Sequence, residues 1–211
     1  MAKPIYIVGA GGLGLEMLAL LQSFPEYAAS GFYDDQFEKG SLIHGLVCLG
    51  NVSELLSISN KTHVLVAIGD PFFKREVINK ITSNTNLEFP TFIHPKATLL
   101  QSKEIKIGKG TIITAGAILT THISIGDFVL INLNSTIGHH VQLQDFVSIM
   151  PGVNLAGKVV VEKEVLIGSG ANVLNGVTIG QQAKVGSGAV VTKNVLPKQT
   201  VVGIPAKPLV K

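Results

Sequence analysis

Every sixth residue in the second half of the chain is aliphatic. The series runs without exception from Ile107 to Val191, and the residue two positions before each member is small or β-branched, from Ile105 to Ala189. A helix cannot place such a series on one face, because six steps of about 100° end about 120° short of a whole number of turns. A strand of period two followed by a corner can do so. The pattern therefore predicts short strands separated by corners, with both residue series pointing inward.

A second repeat indicates the length of one coil. Residues 126–129, Gly-Asp-Phe-Val, recur as Gln-Asp-Phe-Val at residues 144–147, so three hexads make a triangular coil of about 18 residues, the hexapeptide form of the parallel β-helix. We expect Phe128 and Phe146 to stack in neighbouring coils about 4.8 Å apart. A purely structural rod is the alternative interpretation. The same spacing aligns small residues in two columns: Gly152, Gly170 and Gly188 in one, and Ser169 with Ser187 in the next.

The first half alternates between strand and helix patterns. An apolar run at residues 4–8 predicts a strand, Gly-Ala-Gly-Gly-Leu-Gly at residues 9–14 matches the GxGxxG turn, and residues 15–21 begin a helix with one apolar face. A second strand ends at Asp34 and Asp35, which places an acid 20 residues after Gly14. A third strand at residues 62–68, a turn and one more helix complete a small βαβ unit.

This unit is too short to bind a dinucleotide in the usual way. Dinucleotide folds need two mononucleotide halves, and the hexads begin before a second half could form. We therefore expect the glycine loop to hold one nucleotide diphosphate at a helix N-terminus, where unpaired N–H groups and the helix dipole favour anions. A plain tight turn for the glycines and a solvated strand end for the aspartates are the alternatives. The candidate substrate-binding residues are Gly11, Gly12, Leu13, Asp34, Asp35 and Gly69.

The predicted fold class is α/β plus all-β. A Rossmann-like nucleotide-binding domain is expected at residues 1–94, and a parallel β-helix with a C-terminal tail at residues 95–211. The charge divides in the same way. Residues 1–94 carry six Lys/Arg and nine Asp/Glu, whereas residues 95–211 carry eleven Lys and five acids. Because these lysines are scattered and lack interleaved aromatics, we expect a polyphosphate ligand rather than nucleic acid.

Composition limits the other classes of function. The chain is 46% hydrophobic, with 23 glycines and one cysteine, Cys48, which predicts a folded protein without an intrachain disulfide or a cysteine metal cluster. No apolar stretch approaches the roughly 20 residues that span a bilayer, and residues 1–4 lead directly into a strand-like run without a signal-peptide pattern. We therefore expect a cytoplasmic protein that does not insert into membranes.

The motifs together resemble bacterial sugar acetyltransferases of the sialic-acid O-acetyltransferase type, a group that includes N-acetyltransferases of nucleotide-linked 4-amino-4,6-dideoxy sugars. The resemblance implies a left-handed β-helix and a homotrimer that binds acetyl-CoA between adjacent prisms. It also implies direct acetyl transfer to a sugar amine, without a metal, in surface glycan biosynthesis. It is carried by the glycine loop, Tyr-Asp-Asp at 33–35, Ala-Ile-Gly-Asp at 67–70, Ile-His-Pro at 93–95, the hexads, Asn-Ser-Thr-Ile-Gly-His-His at 134–140 and Val-Gly-Ile-Pro-Ala-Lys at 202–207.

The same resemblance assigns roles to individual residues. The family's catalytic histidine falls on His139, which would act as the general base toward the amine. Gly157 matches the position whose backbone N–H meets the thioester carbonyl. Ser169 and Ser187 match further coenzyme contacts, and Ser148 matches a contact near the acyl group. Since the hexads supply no Ser-His-Asp arrangement and Cys48 lies in the other domain, no acyl-enzyme is implied.

Two positions depart from the family pattern. The acid that follows the catalytic histidine is replaced by His140, which we take as a second catalytic candidate, and a histidine of the glycine loop is replaced by Leu13. Asp127, Asp145 or an acid of an adjacent chain is the alternative partner of the base.

Three other functions stay open at this point. They are O-acetylation of a sialic acid, a noncatalytic sugar-nucleotide sensor, and a metal site of the γ-carbonic-anhydrase type. In the metal site, His122 and His140 would stack in neighbouring coils and meet a zinc ion together with a third histidine from another chain.

Overall fold

The computed structural model describes residues 2–209, which divide into two compact units. One unit consists of residues 2–69 and 73–90, and the other of residues 91–209 with Asp70–Phe72. The boundary predicted from the sequence, after residue 94, lies four residues later than the division after residue 90 in the structure. The Phe92 amide already donates to the Thr111 carbonyl at 2.9 Å, so the coils begin before the regular hexads do.

The first unit is a parallel sheet with helices. Over residues 2–90 its elements are β1 (Lys3–Val8), α1 (Gly12–Leu21), β2 (Tyr27–Tyr33), β3 (Leu42–Ile43), β4 (Leu46–Gly50), a 3₁₀ helix (Val52–Ser57), β5 (Thr62–Val66), α2 (Pro71–Ile81) and β6 (Leu87–Glu88). The strand order is β3-β4-β2-β1-β5-β6, and the paired strands are parallel except in the β3–β4 hairpin. This confirms the predicted Rossmann-like unit: the three expected strands correspond to β1, β2 and β5, and the two expected helices to α1 and α2.

The core of this unit forms around the central strand β1. Ile5, Ile7 and Val8 are fully buried, as expected for a strand covered on both faces. Met17 and Leu21 supply the buried face of α1.

Sequence analysis did not predict the β3–β4 hairpin. Its turn residues His44 and Gly45 have φ values of 51° and 84°, which is the left-handed geometry of a two-residue hairpin turn. Histidine stands where Asn or Asp would have marked such a turn in the sequence.

The second unit is the predicted β-helix, and it is left-handed. Over residues 91–209 its elements are β7 (Phe92–Ile93), β8 (Thr98–Leu99), a 3₁₀ helix (Ser102–Glu104), β9 (Ile105–Ile107), β10 (Ile112–Ile113), β11 (Ile118–Leu119), β12 (Ile123–Ile125), β13 (Leu130–Ile131), β14 (Thr136–Ile137), β15 (Gln142–Leu143), β16 (Ser148–Ile149), β17 (Asn154–Leu155), β18 (Val160–Val161), β19 (Leu166–Ile167), β20 (Asn172–Val173), β21 (Thr178–Ile179), β22 (Lys184–Val185), β23 (Val190–Val191), β24 (Thr200–Val202) and β25 (Lys207–Pro208).

Within residues 91–209 these strands form three walls. The first wall has the order β7-β10-β13-β16-β19-β22-β24-β25, the second β8-β11-β14-β17-β20-β23, and the third β9-β12-β15-β18-β21. In the regular region, strands pair with a shift of one coil, as in Ile112↔Leu130. The first coil is longer, with Phe92↔Ile112, and the last is shorter, with Lys184↔Thr200. The 3₁₀ helix at Ser102–Glu104 lies in the longer coil.

Both inward series fill the prism as predicted. Residues two positions apart on one short strand, such as Val147 and Ile149, are both fully buried, because the corner that follows each strand turns the chain before the next pair. The core therefore contains mainly Val, Ile, Leu and Ala side chains from three walls.

In the regular coils that follow the first one, each corner of the prism places one residue in the left-handed region. Between the third and first walls, Phe128 and Phe146 hold this position with φ near 54° and 63°. Their rings stack with centroids 5.9 Å apart and planes 1° apart, which confirms the predicted stack in an offset form. We call this the aspartate corner, after Asp127 and Asp145.

Those two aspartates explain the repeated Asp-Phe segment. The Asp127 amide donates to Asp145 Oδ1, and the Lys109 amide donates to Asp127 Oδ1, each at 3.0 Å. Burial alone raises the pKa of the Asp145 carboxyl, but the Asp127 amide and the Lys163 ammonium, 3.0 Å from Oδ2, outweigh it and lower the pKa. Each carboxylate thus ties its coil to the preceding one.

Candidate active site

The predicted base lies at the corner that joins the second and third walls. His139 and His140 connect β14 to β15, and both side chains are exposed. His140 occupies the left-handed position with φ 61°, and its amide donates to the Thr121 carbonyl at 3.1 Å. We call this part of the prism, comprising Thr121, His122, His139, His140 and Gly157, the histidine corner.

The imidazole of His139 lies against Gly157 in the next coil. A Cβ built at position 157 would lie 2.9 Å from Cδ2 of the ring and closer still to Cε1 and Nε2. The main chains of the two coils are joined there, since the Lys158 amide donates to the His139 carbonyl at 2.8 Å. Glycine at position 157 therefore makes room for the ring.

The amide of Gly157 has no hydrogen-bond partner inside the described part of the chain. Within residues 2–209 it donates to no acceptor, as is true of the amides of Thr121 and His139 at the equivalent positions of the two preceding coils, whereas the amides of Ala156 and Lys158 both make backbone hydrogen bonds. Gly157 itself is buried beneath the histidine. A hydrogen-bond donor and an exposed imidazole thus lie side by side, as an acyl-transfer site requires.

Three histidine rings form a connected array at this corner. Nδ1 of His139 lies 3.1 Å from Nδ1 of His140, with the ring planes 84° apart. His140 stacks on His122 of the preceding coil with centroids 5.0 Å apart and planes 11° apart. Since parallel rings direct their nitrogen lone pairs along parallel lines, the stack does not converge on a single metal ion.

The outer end of the array is held by polar side chains. Nδ1 of His122 lies 2.7 Å from Oγ1 of Thr121, which in turn hydrogen-bonds to the side-chain oxygen of Gln101. Nε2 of His122 lies 3.9 Å from a carboxylate oxygen of Glu104. None of these contacts was predicted from the sequence; only the spacing of His122 and His140 indicated that the two residues stack.

The alternative acids lie elsewhere in the prism. Asp127 and Asp145 are at the aspartate corner, where backbone amides already engage them. Within this chain the structure therefore brings His139 together with His140 and not with these carboxylates.

The serines assigned to the coenzyme occupy other parts of the prism. Ser169 and Ser187 are exposed at the corner that joins the first and second walls, and Cβ atoms built at the neighbouring Gly170 and Gly188 would meet open space. Ser148 is fully buried on strand β16 of the first wall. We call the corner with Ser169 and Ser187 the serine corner. Within one chain, the second wall separates the serine corner from the histidine corner.

The glycine loop of the first unit has two crowded and two open glycines. Gly9 has φ 97°, and a Cβ at Gly14 would lie 3.1 Å from the Gly9 carbonyl carbon and closer to its oxygen. Gly11 and Gly12, at the start of α1, face open space. The fold therefore requires the outer glycines, while the inner pair leaves the helix N-terminus accessible, with no side-chain cap on it. Leu13 is half-buried.

The two aspartates after β2 are engaged with backbone amides. Asp34 Oδ2 accepts from the Ala10 amide and Oδ1 from the Gln36 amide, each at 2.8 Å. Asp35 Oδ1 accepts from the Val52 amide at 2.7 Å. Asp34 thus holds the glycine loop in place, a role that its sequence position did not reveal. Gly69 is half-buried between β5 and α2.

In the part of the chain that the structure describes, no group of three or more His, Cys, Asp or Glu side chains could hold a metal ion. None of the helices within residues 2–209 is long and apolar enough to cross a membrane.

Family models match both units. Residues 4–81 match the PglD N-terminal domain, and residues 158–193 match the bacterial transferase hexapeptide, six repeats. No protein with a curated description matches the chain.

Several solved structures are similar over the whole chain. The acetyltransferase domain of PglB from Neisseria gonorrhoeae FA1090 in complex with acetyl coenzyme A is 31% identical, with a TM-score of 0.90, over 99% of this chain and 100% of that one. PerB from Caulobacter crescentus in complex with CoA and GDP-perosamine is 26% identical, with a TM-score of 0.86, over 100% and 99%. WeeI from Acinetobacter baumannii AYE is 28% identical, with a TM-score of 0.88, over 99% and 100%.

Proposed function

The chain belongs to the hexapeptide-repeat sugar acetyltransferases that carry a PglD-type N-terminal domain, and from this premise we propose that it acetylates the 4-amino group of a nucleotide-activated amino-deoxy sugar with acetyl-CoA. The chain is therefore an acyltransferase. The observation that carries the proposal is the exposed His139 imidazole lying against Gly157, whose amide has no acceptor within residues 2–209.

In the proposed reaction, His139 acts as the general base. The sugar amine attacks the thioester carbonyl, the new C–N bond forms, and Nε2 of His139 takes the proton that the nitrogen sheds. The Gly157 amide donates to the carbonyl oxygen as it becomes negative. The C–S bond then breaks, and the leaving thiolate recovers the proton from His139, so that the amide product and the free thiol form without a covalent enzyme intermediate.

The first unit is proposed to hold the nucleotide. Gly11 and Gly12 leave the first turn of α1 open, and the helix has no acidic residue in that turn. Backbone amides and the helix dipole there favour a diphosphate. PerB, a relative of known structure, binds CoA and GDP-perosamine, which supports a nucleotide-linked amino sugar as the acceptor here.

The second unit is proposed to hold acetyl-CoA. Its eleven lysines against five acids favour a polyphosphate coenzyme, and the open column at Gly170 and Gly188 leaves room for a chain to pass beside Ser169 and Ser187. The serine corner and the histidine corner are separated on one prism. We therefore propose a homotrimer in which the coenzyme lies between two prisms. We place the reaction in the cytoplasm and in surface glycan biosynthesis.

The proposal is tested with a panel of acceptors and a free-thiol readout. Nucleotide-linked 4-amino-4,6-dideoxy sugars should release CoA and gain one acetyl group by mass spectrometry. The same sugars with a 4-hydroxyl group, and sialic acids, should not. His139→Ala should abolish the signal, while His44→Asn, at an exposed hairpin turn, should not. Acetylation of a hydroxyl acceptor alone would replace this proposal by O-acetyl transfer.

A further inference from the structure

We propose that His122, together with Thr121 and Gln101, positions the catalytic histidine through His140. This inference rests on the proposed function, because it assumes that His139 is the base. His122 touches neither reacting group in the proposed site; it acts through the ring on which it stacks.

The order of the hydrogen bonds fixes the proton on His122. The side-chain oxygen of Gln101 can only accept, so Thr121 donates its one hydroxyl proton to it. Oγ1 of Thr121 then offers lone pairs to His122, and Nδ1 of His122 must carry the proton in the 2.7 Å contact. The ring is thereby held in one orientation, with Nε2 facing Glu104 at 3.9 Å.

The held ring provides a flat surface for His140. The two imidazoles are 11° from parallel with centroids 5.0 Å apart, and the main chain is fixed there because the His140 amide donates to the Thr121 carbonyl. An exposed histidine would otherwise rotate about its side-chain bonds. Stacking thus restricts His140 to the orientation in which its Nδ1 meets Nδ1 of His139 at 3.1 Å.

That contact couples the tautomer of His139 to the tautomer of His140. Between two Nδ1 atoms one must donate and the other must accept. If His140 accepts, His139 carries its proton on Nδ1 and leaves Nε2 free to take the amine proton. In the proposed arrangement His140 is the acceptor, because only this tautomer leaves Nε2 of His139 free for the amine proton.

The test compares two substitutions at position 122. His122→Phe keeps a stacking ring and is compatible with the left-handed backbone, as Phe128 and Phe146 are. His122→Asn also suits this backbone, as Asn134 does, but removes the stack. We expect His122→Asn to lower kcat about 10-fold at unchanged KM for both substrates. His122→Phe should have a smaller effect than His122→Asn, because it keeps the stacking ring and loses only the hydrogen bond to Thr121.

A spectroscopic readout separates positioning from folding. In protein labelled with ¹⁵N-histidine, the His139 signals, assigned by their loss in His139→Ala, should report a proton on Nδ1. In His122→Asn they should shift toward the other tautomer, and in His122→Phe the shift should be smaller. An unchanged His139 spectrum in His122→Asn, or wild-type kcat, would overturn the inference. Failure of the proposed function would show differently, as absent sugar-dependent turnover in the wild-type protein.

Discussion

The close contact between the His139 ring and Gly157 leads to a quantitative prediction about the catalytic ring. Gly157→Ala places a methyl group 2.9 Å from Cδ2 of His139 and closer still to Cε1 and Nε2. Carbon contacts are favourable at about 3.5–4.0 Å, so the edge of the ring that carries Nε2 must move by about 1 Å. His139 is exposed, so it can move without disturbing the core.

The expected cost falls on the reaction and not on stability. A displacement of about 1 Å of a catalytic group lowers the rate about 10²-fold, which corresponds to about 2.7 kcal/mol of transition-state free energy. The backbone at Gly157 does not lie in the left-handed region, so alanine is compatible with it. Alanine at position 157 should change the free energy of unfolding by less than about 1 kcal/mol. The change can be an increase, because alanine restricts the unfolded chain more than glycine does.

Steady-state CoA release and thermal unfolding measure both quantities. A double-mutant cycle with His139→Ala isolates the ring: in that background Gly157→Ala should have little further effect on kcat. Wild-type kcat in Gly157→Ala would refute the reasoning. So would an equal loss with and without His139, since it would assign the effect to the Gly157 amide or to coenzyme approach.

Four further predictions follow from the two units. His139→Ala should lower kcat at least about 10²-fold, with the melting temperature and acetyl-CoA affinity retained, as measured by kinetics and calorimetry. Gly11→Ala should raise the KM of the sugar nucleotide far more than that of acetyl-CoA, whereas Gly14→Ala should lower the melting temperature. Because the folded-state pKa of Asp145 is lowered, its stabilising contribution is present above the unfolded pKa of 3.8 and lost as pH falls through the folded value. Asp145→Asn should therefore flatten the urea stability profile below about pH 4. Light scattering should give a trimer, and monomers obtained by dilution should be inactive.

Each of these has a contrary outcome. Wild-type turnover in His139→Ala would remove this residue from the mechanism, and equal KM changes in Gly11→Ala would remove the division of roles between the units. An unchanged stability profile in Asp145→Asn would mean that the carboxylate contributes nothing at acid pH. A fully active monomer would contradict the intersubunit coenzyme site.

The sequence by itself determined the β-helix, because each coil repeats the same contacts. A residue such as Ile149 packs on the residues one coil before and after it, so its environment recurs with the sequence and the periodicity carries the fold. The irregular coils at the two ends lack that recurrence. Their strands, such as β7 before the first hexad and β24 after the last, became visible only in the structure.

In the first unit, local patterns predicted the strands and helices of the βαβ core. They did not predict the β3–β4 hairpin, since its two-residue strand is too short to show alternation. Nor could they assign Asp34, whose partner is the Ala10 amide 24 residues away along the chain. Such a hydrogen bond depends on where β1 and β2 end in space, which no local pattern contains.

At the candidate site, spacing predicted that His139 would lie one coil from Gly157 and His122 one coil from His140. Spacing fixes the positions of the main chain, because coils stack in register. It does not fix side-chain rotation about two bonds per histidine. Only the tertiary structure decided that the His139 ring covers Gly157 and that His140 turns its Nδ1 toward it, since these orientations depend on packing against neighbouring coils and on the Thr121–His122 contact.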